Sequence, residues 1–212
     1  LRSVLEGAVL TRVEPRRADL RFPIPVDLRQ RLTGATVTAL TRRAKYGLIA
    51  TDRGDMMIFH LGMSGRWRVD PSEIGTHDHL ILETGAGRLL ALNDPRRFGS
   101  VDLVRSDAWE TYRPFTRMGP EPLGPDFDAA ALARALDGKA TSIKAALLDQ
   151  RIVAGLGNIY VCEALNMAGI APTRAAGRIS RARLALLVDA IRAVLGAAIV
   201  AGGSTLRDYA RP

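Results

Sequence analysis

Cysteine is almost missing from this chain: Cys162 is the single one in 212 residues. One thiol excludes an internal disulfide framework and any cysteine-rich zinc site built from these residues. No run of about 18 apolar residues occurs, so no membrane-spanning helix is expected. The opening LRSVLEG lacks the basic-then-apolar pattern of an export signal, which makes a cytoplasmic location the default expectation. Histidine is scarce too. His60, His77 and His79 are not spaced as a metal site around carboxylates, and alternation along a strand would aim His77 and His79 to one face without further ligands, so no metal is expected. Lysine is limited to Lys45, Lys139 and Lys144, and arginine carries nearly all the positive charge.

What is present is an excess of base. Thirty Lys and Arg against 22 Asp and Glu give a net charge of +8, a balance that favours a polyanionic partner such as nucleic acid. Apolar content of 47% with 25% charged residues is that of a globular protein with a real core, and the length suits one large domain or two small ones.

The first half reads as short strands separated by glycine and proline. ATVTALTRRAKYGLIAT, MMIFHL, DHLILET, RLLALND and GSVDLVR mix β-branched and aliphatic residues, and Gly85-Ala86-Gly87 has the look of a hairpin loop. Such a set predicts a sandwich or barrel. MGPEPLGPDF then breaks the pattern, placing a domain boundary near residue 124, with residues 1–122 as the strand-rich domain and 123–212 as a helical one. In the second half DAAALARALDG, TSIKAALLDQ and NIYVCEALNMAG read as helices, the last closing at Gly169. A longer helix is expected from Ser180 to Gly202-Gly203, with Leu184, Leu187, Val188, Ile191, Leu195, Ala198 and Ile199 on one buried stripe.

Several loops carry residues that core packing explains poorly. HLGMSGR (60–66) sets Met63 between glycines, NDPRRFG (93–99) presents Arg96, Arg97 and Phe98, and RRAKYG (42–47) groups cations around a tyrosine. Flipping a base out of a duplex costs a few kcal/mol, and the space must be refilled by an apolar group while a donor satisfies the widowed base. Phe98 and Met63 suit the first task and arginine the second. VAGLGNIY (153–160) places Gly155, Gly157 and Asn158 ahead of a helix, where backbone amides and the helix dipole form an anion site; a tight interhelical turn explains the same residues.

Together with MGPEPL (118–123), LLDQRIVAGLGNIYVCEALNMAGIAP (147–172) and GGSTLRDY (202–209), these motifs occur in order along nearly the whole chain, which resembles the formamidopyrimidine-DNA glycosylases. The resemblance implies an α+β protein: an N-terminal β-sandwich domain followed by an all-helical helix-two-turns-helix domain, with DNA in the cleft between them. It implies a monomeric base-excision repair enzyme, partnered by damaged double-stranded DNA, that removes 8-oxoguanine and formamidopyrimidines and cleaves the strand by β,δ-elimination. By position, Met63, Arg96 and Phe98 correspond to the void-filling triad, with Arg96 facing the orphaned cytosine. Lys45, His60, Lys144 and Asn158 correspond to residues holding the backbone near the lesion, Lys45 in support of catalysis, and Gly155 and Gly157 to the phosphate-gripping turns. In the family the nucleophile is an N-terminal proline followed by a glutamate, and one structural zinc sits in a C-terminal four-cysteine finger. Neither occurs in these residues, so this chain is expected to bind no cofactor and to bind lesion DNA without turnover. The intact lesion-facing motifs favour part of an ordinary enzyme over an inactive descendant. The alternatives are a non-catalytic damaged-DNA binder and a general basic RNA or DNA module.

Overall fold

The apolar runs of the first half become strands in the computed structural model, which describes residues 1–202. Two compact units divide at Thr116/Arg117, a few residues before the boundary expected from the prolines. Among the described residues no helix is long and apolar enough to cross a membrane.

The first unit holds two four-stranded antiparallel sheets. The strands are β1 (Leu10–Pro15), β2 (Val37–Arg43), β3 (Tyr46–Thr51), β4 (Asp55–His60), β5 (Arg66–Val69), β6 (Asp78–Thr84), β7 (Leu89–Asn93) and β8 (Ser100–Arg105). One sheet runs β1-β6-β7-β5 and the other β2-β3-β4-β8. Alternate residues of both, including Leu80, Leu82, Leu90 and Leu92 from the first and Ile49, Met57, Phe59 and Val101 from the second, form one apolar cluster. This is the sandwich expected from the sequence, and Gly85-Ala86-Gly87 does join β6 to β7. Two short helices were not foreseen: α1 (Arg2–Leu5) and α2 (Leu28–Leu32). Each is too short to show a helical period, and they contribute Leu5, Leu28 and Leu32 to the same core. Gly47 has a packing reason. It pairs with Phe59 across β3 and β4, and a Cβ there would lie 2.1 Å from the Phe59 ring.

The second unit is built from α3 (Ala129–Leu136), α4 (Ile143–Leu148), α5 (Asn158–Met167) and α6 (Arg181–Val200), with Phe127, Leu147, Leu165 and Leu187 in its core. Side chains cap three of these helices: Asp128 accepts the Ala131 amide, Ser142 that of Ala145 and Ser180 that of Arg183. Gly169, at φ +62, follows α5 as the sequence suggested. The stripe on α6 is core through Leu184, Leu187, Val188 and Ile191, with Leu195 partly buried, but Ile199 is exposed. At twenty residues α6 is twice the length of α5, and among the described residues its full burial stops at Val194. Of the GGSTLRDY motif, residues 203–209 lie outside the described residues.

Candidate nucleic-acid interface

In the first unit the site grows from the paired ends of β4 and β8. His60 and Ser100 are register partners, so the loop after β4 (61–65) and the loop before β8 (94–99) lie side by side. Their glycines answer close approach. A Cβ on Gly62, itself at φ +63, would sit 2.5 Å from the Phe98 carbonyl carbon, and one on Gly99 would sit 2.8 Å from the His60 carbonyl oxygen.

Asp94 bolts the loops together. Its carboxylate, on a residue 1% exposed, accepts the Ser64 hydroxyl at 2.5 Å and the Gly99 amide at 2.8 Å. The Asp94 backbone carbonyl accepts the Arg97 amide and faces His79 Nε2 at 3.0 Å. Ser64 Oγ in turn accepts the Arg96 amide at 3.3 Å. On this braced scaffold Met63 is 74% and Phe98 43% exposed, and the Arg96 guanidinium lies 4.5 Å from the Phe98 ring centre. Arg97, at φ +57, turns the other way to an ion pair with Asp19 at 4.0 Å, so the two arginines have separate environments.

Lys45 occupies the two-residue turn between β2 and β3, after Ala44 at φ +53. It is exposed, yet enough protein lies beside it that partial desolvation lowers its pKa. Next to it His60 packs against the Tyr46 ring at 4.8 Å, and its Nδ1 accepts the Gly62 amide at 2.9 Å. Desolvation first, then the charges of Lys45 and Arg21, hold the His60 imidazole below its ordinary pKa. Arg21, bound through its amide to the Gly99 carbonyl at 3.1 Å, was invisible in the sequence because its segment joins the site only through tertiary packing.

The His77 and His79 rings lie 6.3 Å apart, on one side as alternation expects, but in different surroundings. His77 is exposed while His79 is 3% exposed and braces Asp94. Among the described residues no group of three or more His, Cys, Asp or Glu could hold a metal ion.

In the second unit α4 and α5 are joined by the turns at 149–157. The Gln150 side chain organises them: its amide nitrogen donates to the Leu148 and Leu156 carbonyls, and its Oε1 accepts the Gly155 amide at 2.8 Å. Gly155, at φ +83, therefore shapes the turn, its N–H already satisfied within it. Gly157 is different. It caps α5 in an extended conformation, φ −118, with open space where a Cβ would stand and no side-chain cap bond. Exposed Asn158 is the first helical residue, and partly buried Lys144 lies in the first turn of α4. Gly119 explains MGPEPL, since a Cβ would meet the Ile152 carbonyl carbon at 2.7 Å, and its amide donates to the Gln150 carbonyl.

The lowered imidazole pKa values have a measurable consequence. His79, like His60, is depressed chiefly by desolvation. The folded chain then binds fewer protons than the unfolded chain just below the ordinary imidazole pKa of about 6.5, so stability rises with pH there and is lost as pH falls through that value. Thermal unfolding is expected at a lower Tm at about pH 5.5 than at about pH 7.5, and His60→Asn should narrow the difference; equal Tm values for the unsubstituted chain would contradict this.

Comparison with known proteins agrees with both units. Residues 1–101 match the family model of the formamidopyrimidine-DNA glycosylase N-terminal domain, and residues 118–210 that of the formamidopyrimidine-DNA glycosylase H2TH domain. The formamidopyrimidine-DNA glycosylase of Rhizorhabdus wittichii is 73% identical over 212 residues, covering all of this chain and 78% of that protein. That of Novosphingobium aromaticivorans is 64% identical with the same coverage. The fold matches Lactococcus lactis Fpg in a complex with DNA containing an abasic site, at a TM-score of 0.89 and 32% identity, covering 97% of this chain and 76% of that one. A complex of the same bacterial protein with N7-benzyl-Fapy-dG DNA gives the same TM-score and identity, covering 97% and 77%. Two family models in sequence order, high identity across the whole chain and the same two-sheet and helical architecture together place this chain in the formamidopyrimidine-DNA glycosylase family.

Proposed function

We propose that this chain carries the lesion-recognition apparatus of a DNA glycosylase and AP lyase acting on oxidised purines. The observation that carries the reading is the Asp94-braced pair of loops. It displays two large apolar side chains, Met63 and Phe98, and a guanidinium stacked on one of them, which is what filling an emptied base position requires. Met63 and Phe98 enter the stack left by an everted nucleotide, and Arg96 donates to the widowed base. Lys45 and His60 in the first unit, and Lys144, Asn158 and the α5 entry at Gly157 in the second, hold strand phosphates. The net charge of +8 supplies the general attraction to the backbone.

The chemistry proposed for an enzyme with this apparatus is attack of an N-terminal proline amine on the sugar C1′, loss of the damaged base and two eliminations. These 212 residues contain no such proline, and with Cys162 alone they cannot supply the family's four-cysteine zinc finger. A polypeptide of these residues is expected to bind 8-oxoguanine and abasic duplexes as a monomer, more tightly than intact duplex. It should yield no covalent complex on borohydride trapping. Equal affinity for damaged and intact duplex would refute the recognition reading; a trapped complex would show that another amine here, with Lys45 the first suspect, is the nucleophile.

The phosphate role has its own signature. Lys45→Ala is expected to weaken intact and lesion duplex alike and to reduce the slope of log affinity against log salt by about one. Loss confined to lesion duplex, in a salt titration of fluorescence anisotropy, would assign Lys45 to the lesion instead.

A further inference from the structure

The loop that carries Met63 is held at three points. The Gly65 amide donates to the Leu61 carbonyl at 2.8 Å and closes the loop on itself. The Ser64 hydroxyl ties its far side to Asp94 at 2.5 Å. The near side is held by a side chain already assigned another task, because the Gly62 amide donates to His60 Nδ1 at 2.9 Å. Gly62 matters for placement: its α-carbon lies so close to the Phe98 backbone that no Cβ fits between them. Orienting the Gly62 peptide therefore sets the loop against its neighbour.

A neutral imidazole that accepts at Nδ1 carries its proton on Nε2. Burial and the nearby Lys45 and Arg21 charges oppose a second proton on the ring. The Tyr46 ring at 4.8 Å limits how the imidazole can rotate. The inner nitrogen is thus committed to the loop, and the outer one is left as a donor.

We propose that His60 is a positioning residue for Met63, using Nδ1 to set the Gly62 peptide while its Nε2–H serves a strand phosphate. One ring then ties the grip on the backbone to the placement of the void-filling loop. This rests on the DNA-recognition reading above.

Two isosteres separate the nitrogens, because asparagine puts an amide oxygen where Nδ1 stands and glutamine puts an amide nitrogen near Nε2. The readout is the affinity for a duplex containing a tetrahydrofuran abasic analogue, divided by that for intact duplex. His60→Asn should weaken both duplexes equally and keep the ratio. His60→Gln, which leaves the Gly62 amide without its acceptor, should lower the ratio about five-fold, the scale of one lost hydrogen bond, toward that of Met63→Ala. A ratio that falls as far in His60→Asn as in His60→Gln, or that falls in neither, overturns the inference. If Met63→Ala leaves the ratio unchanged, the void-filling reading falls and the inference with it. If Met63→Ala lowers the ratio and His60→Gln does not, only the inference falls. A long-range proton–nitrogen spectrum of the unsubstituted chain gives a check independent of how the variants fold: an Nε2–H tautomer is expected, and an Nδ1–H tautomer overturns the contact.

Discussion

Replacing Phe98 with alanine is expected to lower affinity for abasic duplex by about ten-fold or more while barely changing affinity for intact duplex. Stacking of one base on one aromatic ring is worth about 1–3 kcal/mol, and that energy is realised only where a gap exists to be filled. The ring is nearly half exposed in the free chain, so its removal should cost little folding stability. It also supports the Arg96 guanidinium at 4.5 Å. Removing it should therefore blunt discrimination of the opposite base as well, as Arg96→Ala would, by about 1–3 kcal/mol if that contact is bidentate. Competition binding with abasic and intact duplexes, each with cytosine or adenine opposite the lesion, reads both effects. A parallel loss on every duplex would favour a general basic nucleic-acid module over lesion recognition.

The largest effect on the scaffold is expected at Asp94. Its side chain is buried and accepts from the Ser64 hydroxyl and the Gly99 amide, one donor from each loop. Asp94→Ala leaves the Gly99 amide without its acceptor, and hydrogen bonds to a charged group contribute about 1.5–3 kcal/mol each. A loss of about 3 kcal/mol in folding free energy follows, read as a lower denaturant midpoint at unchanged slope. Asp94→Asn should be nearly as damaging, because only one of its two terminal atoms accepts. Lesion selectivity should fall in both variants even under conditions where they remain folded, since Met63 and Phe98 lose their common brace. A folded Asp94→Ala chain with undiminished selectivity would show that the loops hold their positions without it.

These two residues differ in how visible they are in the sequence. Phe98 is legible because a large aromatic flanked by arginines and glycine on a turn does not fit a core pattern. Asp94 announces only an Asn-Asp-Pro turn. That its carboxylate spans two loops depends on Ser64, thirty residues earlier in the chain, and on the antiparallel pairing of β4 with β8. The same holds in the second unit. Gly155 and Gly157 look alike in VAGLGNIY, yet Gln150 takes the amide of the first, while the second caps α5 with open space around it. No spacing rule separates them, because the difference is set by where one glutamine side chain folds back.

Alternation and helical periodicity sufficed for the strands β2, β3, β4, β6, β7 and β8 and for all four helices of the second unit, since each buries a face that recurs along a local stretch. The short helices α1 and α2 and the exposure of Ile199 escaped that reading. Charge balance, strand-and-helix order, the loop motifs and family membership are properties of the chain as written, because they depend on composition and on neighbours within a few residues. The Asp94 brace, the depressed His60 imidazole beside Arg21 and the committed Gly155 amide belong to the fold. Each arises from groups that meet only after loops have closed, where burial and hydrogen-bond geometry decide which polar atoms are spent and which are left for a partner.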